Sequence, residues 1–429
     1  MKITIIAHEM PYPPIHGAPV DIWRRVKAFS ELGAKVQLVS WVQEQPKQEQ
    51  LVEIHKYVQQ SCFILYKRSP AALLNRMVDL YSYPKEVASR ILKGKDLKLL
   101  LSKVSFFNPD IIFLDGIHGG EIAKTLSHQL SRPLVTRKHN IEYLYQQRLY
   151  QVTHGVKKLK KRLSLTNVES YEKSILNHST RFYDISPDDL SFWHNQGFTH
   201  GKHLPPLMDV NSLQSSHSQT AVTENNPMYD VVFLGNLNSA NNVAGIQWFL
   251  TQVMPLLQAK QPDIKVLIAG SNPLRSIQQL CEDTPGVDLK INPPSAAEIY
   301  RSGRVLINPS PTGSGVSIKS LEMLTYQKPI VSTPQGLSGL PEQVYPYFQI
   351  ATELDTFAAA IIKCLTTDEI PTIDLQLLDN LFGYGVIKDL LFDLETLVKT
   401  TQPQSSPQPQ FIPQPQSSPV PVLQTFIIS

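Results

Sequence analysis

The chain runs twice through one alternation, a short β-rich apolar stretch and then a helical one, with a polar break between the two series. Alternating strand and helix calls for a parallel sheet covered by helices on both faces. In the first series, residues 1–7 are apolar without strict alternation, as in a strand buried on both sides. A proline-rich loop over 8–18 follows and contains Gly17. Pro19 suits a first helical turn, Ile22, Val26, Phe29 and Leu32 fall at helical spacing, and Gly33 marks the stop. Residues 36–41 complete a βαβ unit, whose crossover should be right-handed. Further strands are expected at 62–66, 111–114, 133–136 and 182–185, with helical material over 71–103 and a long helix over 156–177.

Residues 211–228 are polar and read as an exposed connection. Beyond them the second series predicts strands at 231–234, 266–269, 287–291, 305–308 and 329–333. Val243, Ile246, Leu250, Val253 and Leu257 form a helical stripe, Ser295 and Glu298 a capping box, and 316–326 another helix. Two such series in tandem predict two doubly wound α/β domains facing each other across a cleft, over 1–205 and 206–380. The end differs: residues 401–429 are dominated by Pro, Gln and Ser, a composition that buries no core and predicts a disordered or extended tail.

Composition narrows the function classes. With 42% hydrophobic and 18% charged residues the chain is globular, and a net charge of +3 is too small to point to nucleic acid. Cys62, Cys281 and Cys364 lie far apart, without metal-ligand spacing. No apolar run approaches the roughly 18 residues of a bilayer span, and the first apolar stretch is too short for a secretory signal, so a cytoplasmic protein is expected.

The segment from Asn308 to Glu322 carries most of the functional information. A buried strand feeds the glycine-rich loop Thr312-Gly313-Ser314-Gly315, which feeds a helix start. Glycines let backbone approach a ligand closely, and the N–H groups of a helix N-terminus favour an anion. Lys319 and Glu322 are three apart and share a face. A lysine on a phosphate and a carboxylate on ribose hydroxyls would suit a nucleotide diphosphate. The plainer reading is a glycine turn capping a helix, with Lys319 and Glu322 a solvated pair; spacing alone leaves both open.

Three blocks in this half resemble the retaining glycosyltransferases of family 4, enzymes of the GT-B fold with two Rossmann-like domains. They are Phe233-Leu234-Gly235-Asn236-Leu237 with Asn241-Asn242-Val243; Val266-Leu267-Ile268-Ala269-Gly270 with Asn272-Pro273; and Gly313-Ser314-Gly315-Val316 through Lys319 and Leu321-Glu322 to Lys328-Pro329-Ile330-Val331-Ser332. The first half fits more loosely, through the opening strand and loop, Arg137-Lys138-His139-Asn140-Ile141-Glu142 and Asp184-Ile185-Ser186.

The resemblance implies sugar transfer from a nucleotide-diphosphate donor to a glycan or lipid-linked acceptor, with retention, no metal and no cofactor, in exopolysaccharide or cell-envelope glycan synthesis. It implies donor contacts at Gly17, Asn236, Gly313, Ser314, Gly315, Val316, Lys319 and Glu322. It places His139 near the transferred sugar, and Asp115 and His118 at acceptor or catalytic contacts. It also implies that a helix over 381–400 returns to the N-terminal domain. Two departures stand out: many members have glutamate where this chain has Ser314, and a cation near Asn236 where it has none. A nucleotide-sugar epimerase of the same fold and a non-catalytic nucleotide-binding partner of a transferase are the rival readings. The basic run Lys157, Lys158, Lys160, Lys161 and Arg162 reads as a solvated face or as peripheral contact with anionic lipid.

Overall fold

The computed structural model describes all residues except 15–16, 67–68, 152–154, 156–157, 159–161, 163–164, 209–226, 314, 368–371, 402–423 and 429. The chain divides into two compact units, residues 1–207 with 384–429, and residues 208–383.

The first unit is built on eight parallel strands: β1 (Lys2–Ala7), β2 (Lys35–Val42), β3 (Gln60–Leu65), β4 (Ile111–Asp115), β5 (Leu134–Lys138), β6 (Arg181–Asp184), β7 (Gly201–His203) and β14 (Gln424–Ile428). Their order is β14-β3-β2-β1-β4-β5-β6-β7. Successive residues of a strand enter opposite faces. Ile3 and Ile5 join the core cluster under the helix Gly17–Glu31, whereas Ile6 joins the cluster on the other face. The helix Tyr384–Thr401 packs Ile387, Leu390, Leu394 and Leu397 into the first of these clusters, beside Ile22 and Val26.

The second unit carries six parallel strands: β8 (Tyr229–Asn236), β9 (Val266–Ser271), β10 (Val287–Ile291), β11 (Gly303–Asn308), β12 (Ile330–Ser332) and β13 (Phe348–Ile350), in the order β10-β9-β8-β11-β12-β13. Its sheet is likewise covered on both faces, with Val231 and Phe233 in one cluster and Val232 in the other. The α/β doubly wound class read from the sequence is the class observed.

Five local expectations are corrected or fall outside the description. The C-terminal tail is not disordered to its end: Gln424–Ile428 is a strand, paired residue for residue with Gln60–Ile64. Thr425, Phe426, Ile427 and Ile428 are β-branched or aromatic, unlike the Pro/Gln/Ser stretch before them, and Ile428 is buried. The long helix over 156–177 is interrupted, because Asn167 adopts φ 62° and the regular helix runs only Val168–His178. The stripe 243–257 is not one α-helix but Ala240–Trp248, a π turn over Phe249–Val253, and Met254–Lys260. Pro255 supplies the reason: its ring crowds the carbonyl one turn back, and the wider turn relieves that contact. The polar connection and most of the basic run lie outside the described residues.

Truncation after residue 423 would leave β3 as an exposed edge and uncover Ile64 and Cys62. It should lower the thermal midpoint by several degrees and increase aggregation, measured by differential scanning fluorimetry and light scattering.

Candidate functional site

Doubly wound sheets bind ligands where neighbouring strands send their connections in opposite directions, beyond the carboxyl ends. In the first unit that point falls between β1 and β4, and in the second between β8 and β11.

At the first of these, Asp115 ends β4 and lies in register with Ala7 of β1 and Arg137 of β5. Its carboxylate accepts from Arg25 Nε at 3.1 Å and Nη2 at 2.7 Å, and from His139 Nε2 at 2.7 Å. Asp21, one helical turn before Arg25, accepts from Arg25 at 3.0 Å and from Arg137 at 3.4 Å. Asp21, Arg25, Asp115 and Arg137 are each no more than 1% exposed. Burial alone would raise the pKa of Asp115, but Arg25 and then the His139 hydrogen bond outweigh it and hold the carboxyl well below its ordinary range. For Arg137 burial wins, and its pKa is pulled down to about 10.

Arg137 and Lys138 are consecutive in β5, so they enter opposite faces. Lys138 Nζ lies 2.8 Å from Glu172 and 3.8 Å from the centre of the Trp193 ring. Glu172 also accepts from the backbone N–H groups of Glu142 and Tyr143, at 3.0 and 3.1 Å. The turn carrying His139 is therefore fixed from both sides of the sheet. His118 stands nearby, its Nε2 3.8 Å from Glu142 and its ring edge-on to His8, with centroids 5.4 Å apart. Burial would raise the Glu142 pKa, but His118 and Gln146 lower it to about 2. Gly116 takes φ +79°, and an added Cβ would stand 3.3 Å from His8 Nδ1 and 3.8 Å from His139. A side chain there would crowd the histidines.

The structure places Asp115, His118 and His139 at one edge of the sheet, with unequal exposure. His139 and His118 keep 16% and 19% of their side-chain surface, whereas Asp115 is sealed behind His139. Gly17 opens the helix Gly17–Glu31, and an added Cβ there meets nothing within 4 Å, so packing does not require glycine. Sequence reasoning did not find Asp21, Arg25 or Glu172. The available signal was charge placed on otherwise apolar faces.

At the second switch point Asn308, fully buried, ends β11 and acts as a hub. Its Nδ2 donates to Ser320 Oγ at 2.7 Å, to the Gly336 carbonyl at 3.1 Å and to Ser317 Oγ at 3.2 Å, while its Oδ1 accepts from Ser310 Oγ at 2.7 Å. Asn241 clamps the glycine loop from the β8 side, donating to the Thr312 carbonyl at 2.9 Å and accepting its N–H at 3.2 Å. Gly315 takes φ +57°, and a Cβ on Gly313 would come within 2.7 Å of Ser338. Both positions call for glycine. Ser314 lies outside the described residues.

The helix here runs Ile318–Leu324, shorter than the expected 316–326. The Ser317 N–H donates to the Ser338 carbonyl at 3.0 Å and the Ile318 N–H to Val316 at 2.9 Å, so these donors are turned inward rather than toward a ligand. These two N–H groups are therefore occupied within the protein, and the cation beside the loop is Lys319. Lys319 Nζ donates to Asn242 Oδ1 at 3.1 Å and sits 4.3 Å from the Phe233 ring centre. Burial lowers its pKa to about 7. Asn242 is itself held by the Asn236 carbonyl at 2.9 Å, and Asn236 Oδ1 accepts from the Asn238 N–H at 3.0 Å. Glu322 is half-buried one turn after Lys319, and Val316 packs against the core beneath.

Residues 229–367 match the family model described as "Glycosyl transferases group 1". An uncharacterized 44.6 kDa protein in the cps region of Klebsiella pneumoniae is 25% identical over 377 residues, covering 84% of this chain and 90% of its own. Among solved structures, Anabaena Alr3699/HepE in complex with UDP and glucose superposes with a TM-score of 0.60 at 15% identity, covering 92% of this chain and 99% of that one. TarM does so with a TM-score of 0.61 at 11% identity, covering 93% and 97%.

Asp115→Ala should destabilise the protein by about 3–5 kcal/mol, because Arg25 and Arg137 would then share the single carboxylate of Asp21. The check is chemical denaturation followed by tryptophan fluorescence.

Proposed function

We propose that this chain, a GT-B protein whose residues 229–367 form a glycosyl transferases group 1 domain, moves a sugar from a nucleotide-diphosphate donor to a glycan or lipid-linked acceptor. The proposal includes retention at the anomeric carbon and no metal. The observation that carries it is Lys319: a cationic side chain drawn into an apolar, hydrogen-bonded corner, next to a glycine loop, at the switch point of its sheet.

A half-buried lysine among apolar neighbours is costly unless an anion completes its surroundings. A diphosphate does so, and the same charge then stabilises the nucleotide diphosphate as the bond from sugar carbon to phosphate oxygen breaks. Gly313, Ser314, Gly315 and Val316 are assigned to donor phosphate and sugar, Glu322 to the ribose, and Asn236 and Asn242 to holding Lys319 in position. Gly17 is assigned a diphosphate contact, and His139 a substrate-facing role with Asp115 and Arg25 fixing its ring. Alr3699/HepE was solved with UDP, which supports uracil as the first base to try, and the cps-region relative supports a polysaccharide setting.

UDP, GDP and ADP should be compared by thermal stabilisation of the purified protein. One of them is expected to raise the midpoint, and the Lys319→Ala, Glu322→Ala double variant should lose the shift. Lys319→Ala alone should weaken nucleotide binding about ten- to a hundredfold, the range for a hydrogen bond to a charged group. No shift with any of the three nucleotides would remove the basis for the proposal.

The pH dependence has a definite sign. Free Lys319 loses its proton as pH rises through about 7, whereas the diphosphate complex retains it. Affinity should therefore fall above that point, by up to about tenfold per pH unit, and Lys319→Arg should flatten the profile by keeping its charge. Isothermal titration calorimetry across neutral pH reads both.

A further inference from the structure

At the carboxyl ends of β2 and β3, beside the helix Pro70–Asp79, lies a cavity of about 170 Å³ outside both sites described above. Three strands give it apolar side chains, Trp41, Ile64 and Ile428. Ile428 stands in register with Ile64, so β14 completes this part of the lining. The rest is polar and holds two cations and two carboxylates, Arg76 and Lys93 with Asp79 and Asp96. Lys93 Nζ fixes Asp79 by donating to its two oxygens at 2.6 and 2.9 Å. Tyr66, just past β3, links the cavity to the histidines. The Arg90 guanidinium lies 5.4 Å from the Tyr66 ring centre, and its Nε donates to the His8 carbonyl at 3.0 Å. His8 in turn meets His118.

Size and charge select the occupant. A cavity of about 150 Å³ takes up benzene, so this one holds a single six-membered ring. An anion would be repelled by the two carboxylates and a cation by Arg76 and Lys93. An acyl chain would strip water from all four charges without replacing it. A neutral ring with hydroxyls around its rim and C–H groups on its faces meets every wall, since hydroxyls both donate to carboxylates and accept from cations. We infer that the cavity is a subsite for one neutral pyranose ring of the acceptor, next to the sugar that is extended rather than that sugar itself. Asp79 and Asp96 accept from its hydroxyls, Arg76 and Lys93 donate to them, and Trp41 and Ile428 stand against its C–H groups. The acceptor role rests on the transferase reading above; the sugar site rests on the cavity alone.

The test is saturation-transfer NMR of the full chain, without donor, against the methyl glycosides of glucose, galactose, mannose and N-acetylglucosamine. At least one should bind, with the roughly millimolar Kd of a single small ring. Arg76→Gln with Asp79→Asn should weaken that binding at least about tenfold. The thermal midpoint and its shift by nucleotide should stay as in the parent, because the Asp79–Lys93 pair is partly exposed and adds little stability. The Lys319→Ala, Glu322→Ala variant should still bind the glycoside, which separates this cavity from the donor site. Four glycosides that all fail to bind, or binding undiminished in the folded Arg76→Gln, Asp79→Asn variant, would overturn the proposal. Loss of the glycoside in the donor-site variant, or its displacement by inorganic phosphate, would do the same. Glycoside binding without any response to nucleotide would overturn the acceptor role together with the transferase reading, while the sugar site stood.

Discussion

The buried carboxylate of Asp115 is the interaction on which the first unit's carboxyl edge depends. It joins a strand end, a helix through Arg25, and the turn bearing His139. Two aspartates face two arginines there, with charge balanced inside the protein rather than by water. Such pairs add little net stability over apolar packing, yet they fix geometry, since removing any partner strands a charge. Orienting a histidine without exposing the group that orients it is the chemical result.

The second unit solves the same positioning problem with neutral groups. Asn308 makes its hydrogen bonds to three separated segments, and Asn241 and Asn242 bring the β8 loop onto the glycine loop and Lys319. Amides can satisfy several partners at once without a desolvated charge. That leaves Lys319 as the one strongly perturbed cation of the loop region, with its pKa moved toward neutrality by burial rather than by a neighbouring charge.

The architecture was legible because parallel strands buried on both faces cannot hide their apolar runs, and every strand expected in the second series occurs. The glycine loop was legible too, since the left-handed φ of Gly315 favours glycine and the closeness of Gly313 to Ser338 leaves no room for a side chain. Partner choice was not. Whether Ser317 donates inward to Ser338, or whether Asp115 faces a ligand or Arg25, depends on contacts from positions far off in sequence. The five-residue strand Gln424–Ile428 escaped notice for a different reason: it is too short for periodicity, and composition averaged over the tail concealed it.

The first unit is discontinuous in sequence, and this bears on how the protein is made. Residues 208–383 form one uninterrupted unit and can fold as they leave the ribosome. The earlier segment must wait: the cluster containing Ile22, Val26 and Phe29 is completed by the helix Tyr384–Thr401, and β3 gains its outer neighbour only when Gln424–Ile428 emerges. Throughout synthesis of the inserted unit, a sheet edge and an apolar helix face remain open. The nascent chain therefore passes through a long stage in which its first-made part is the last to close.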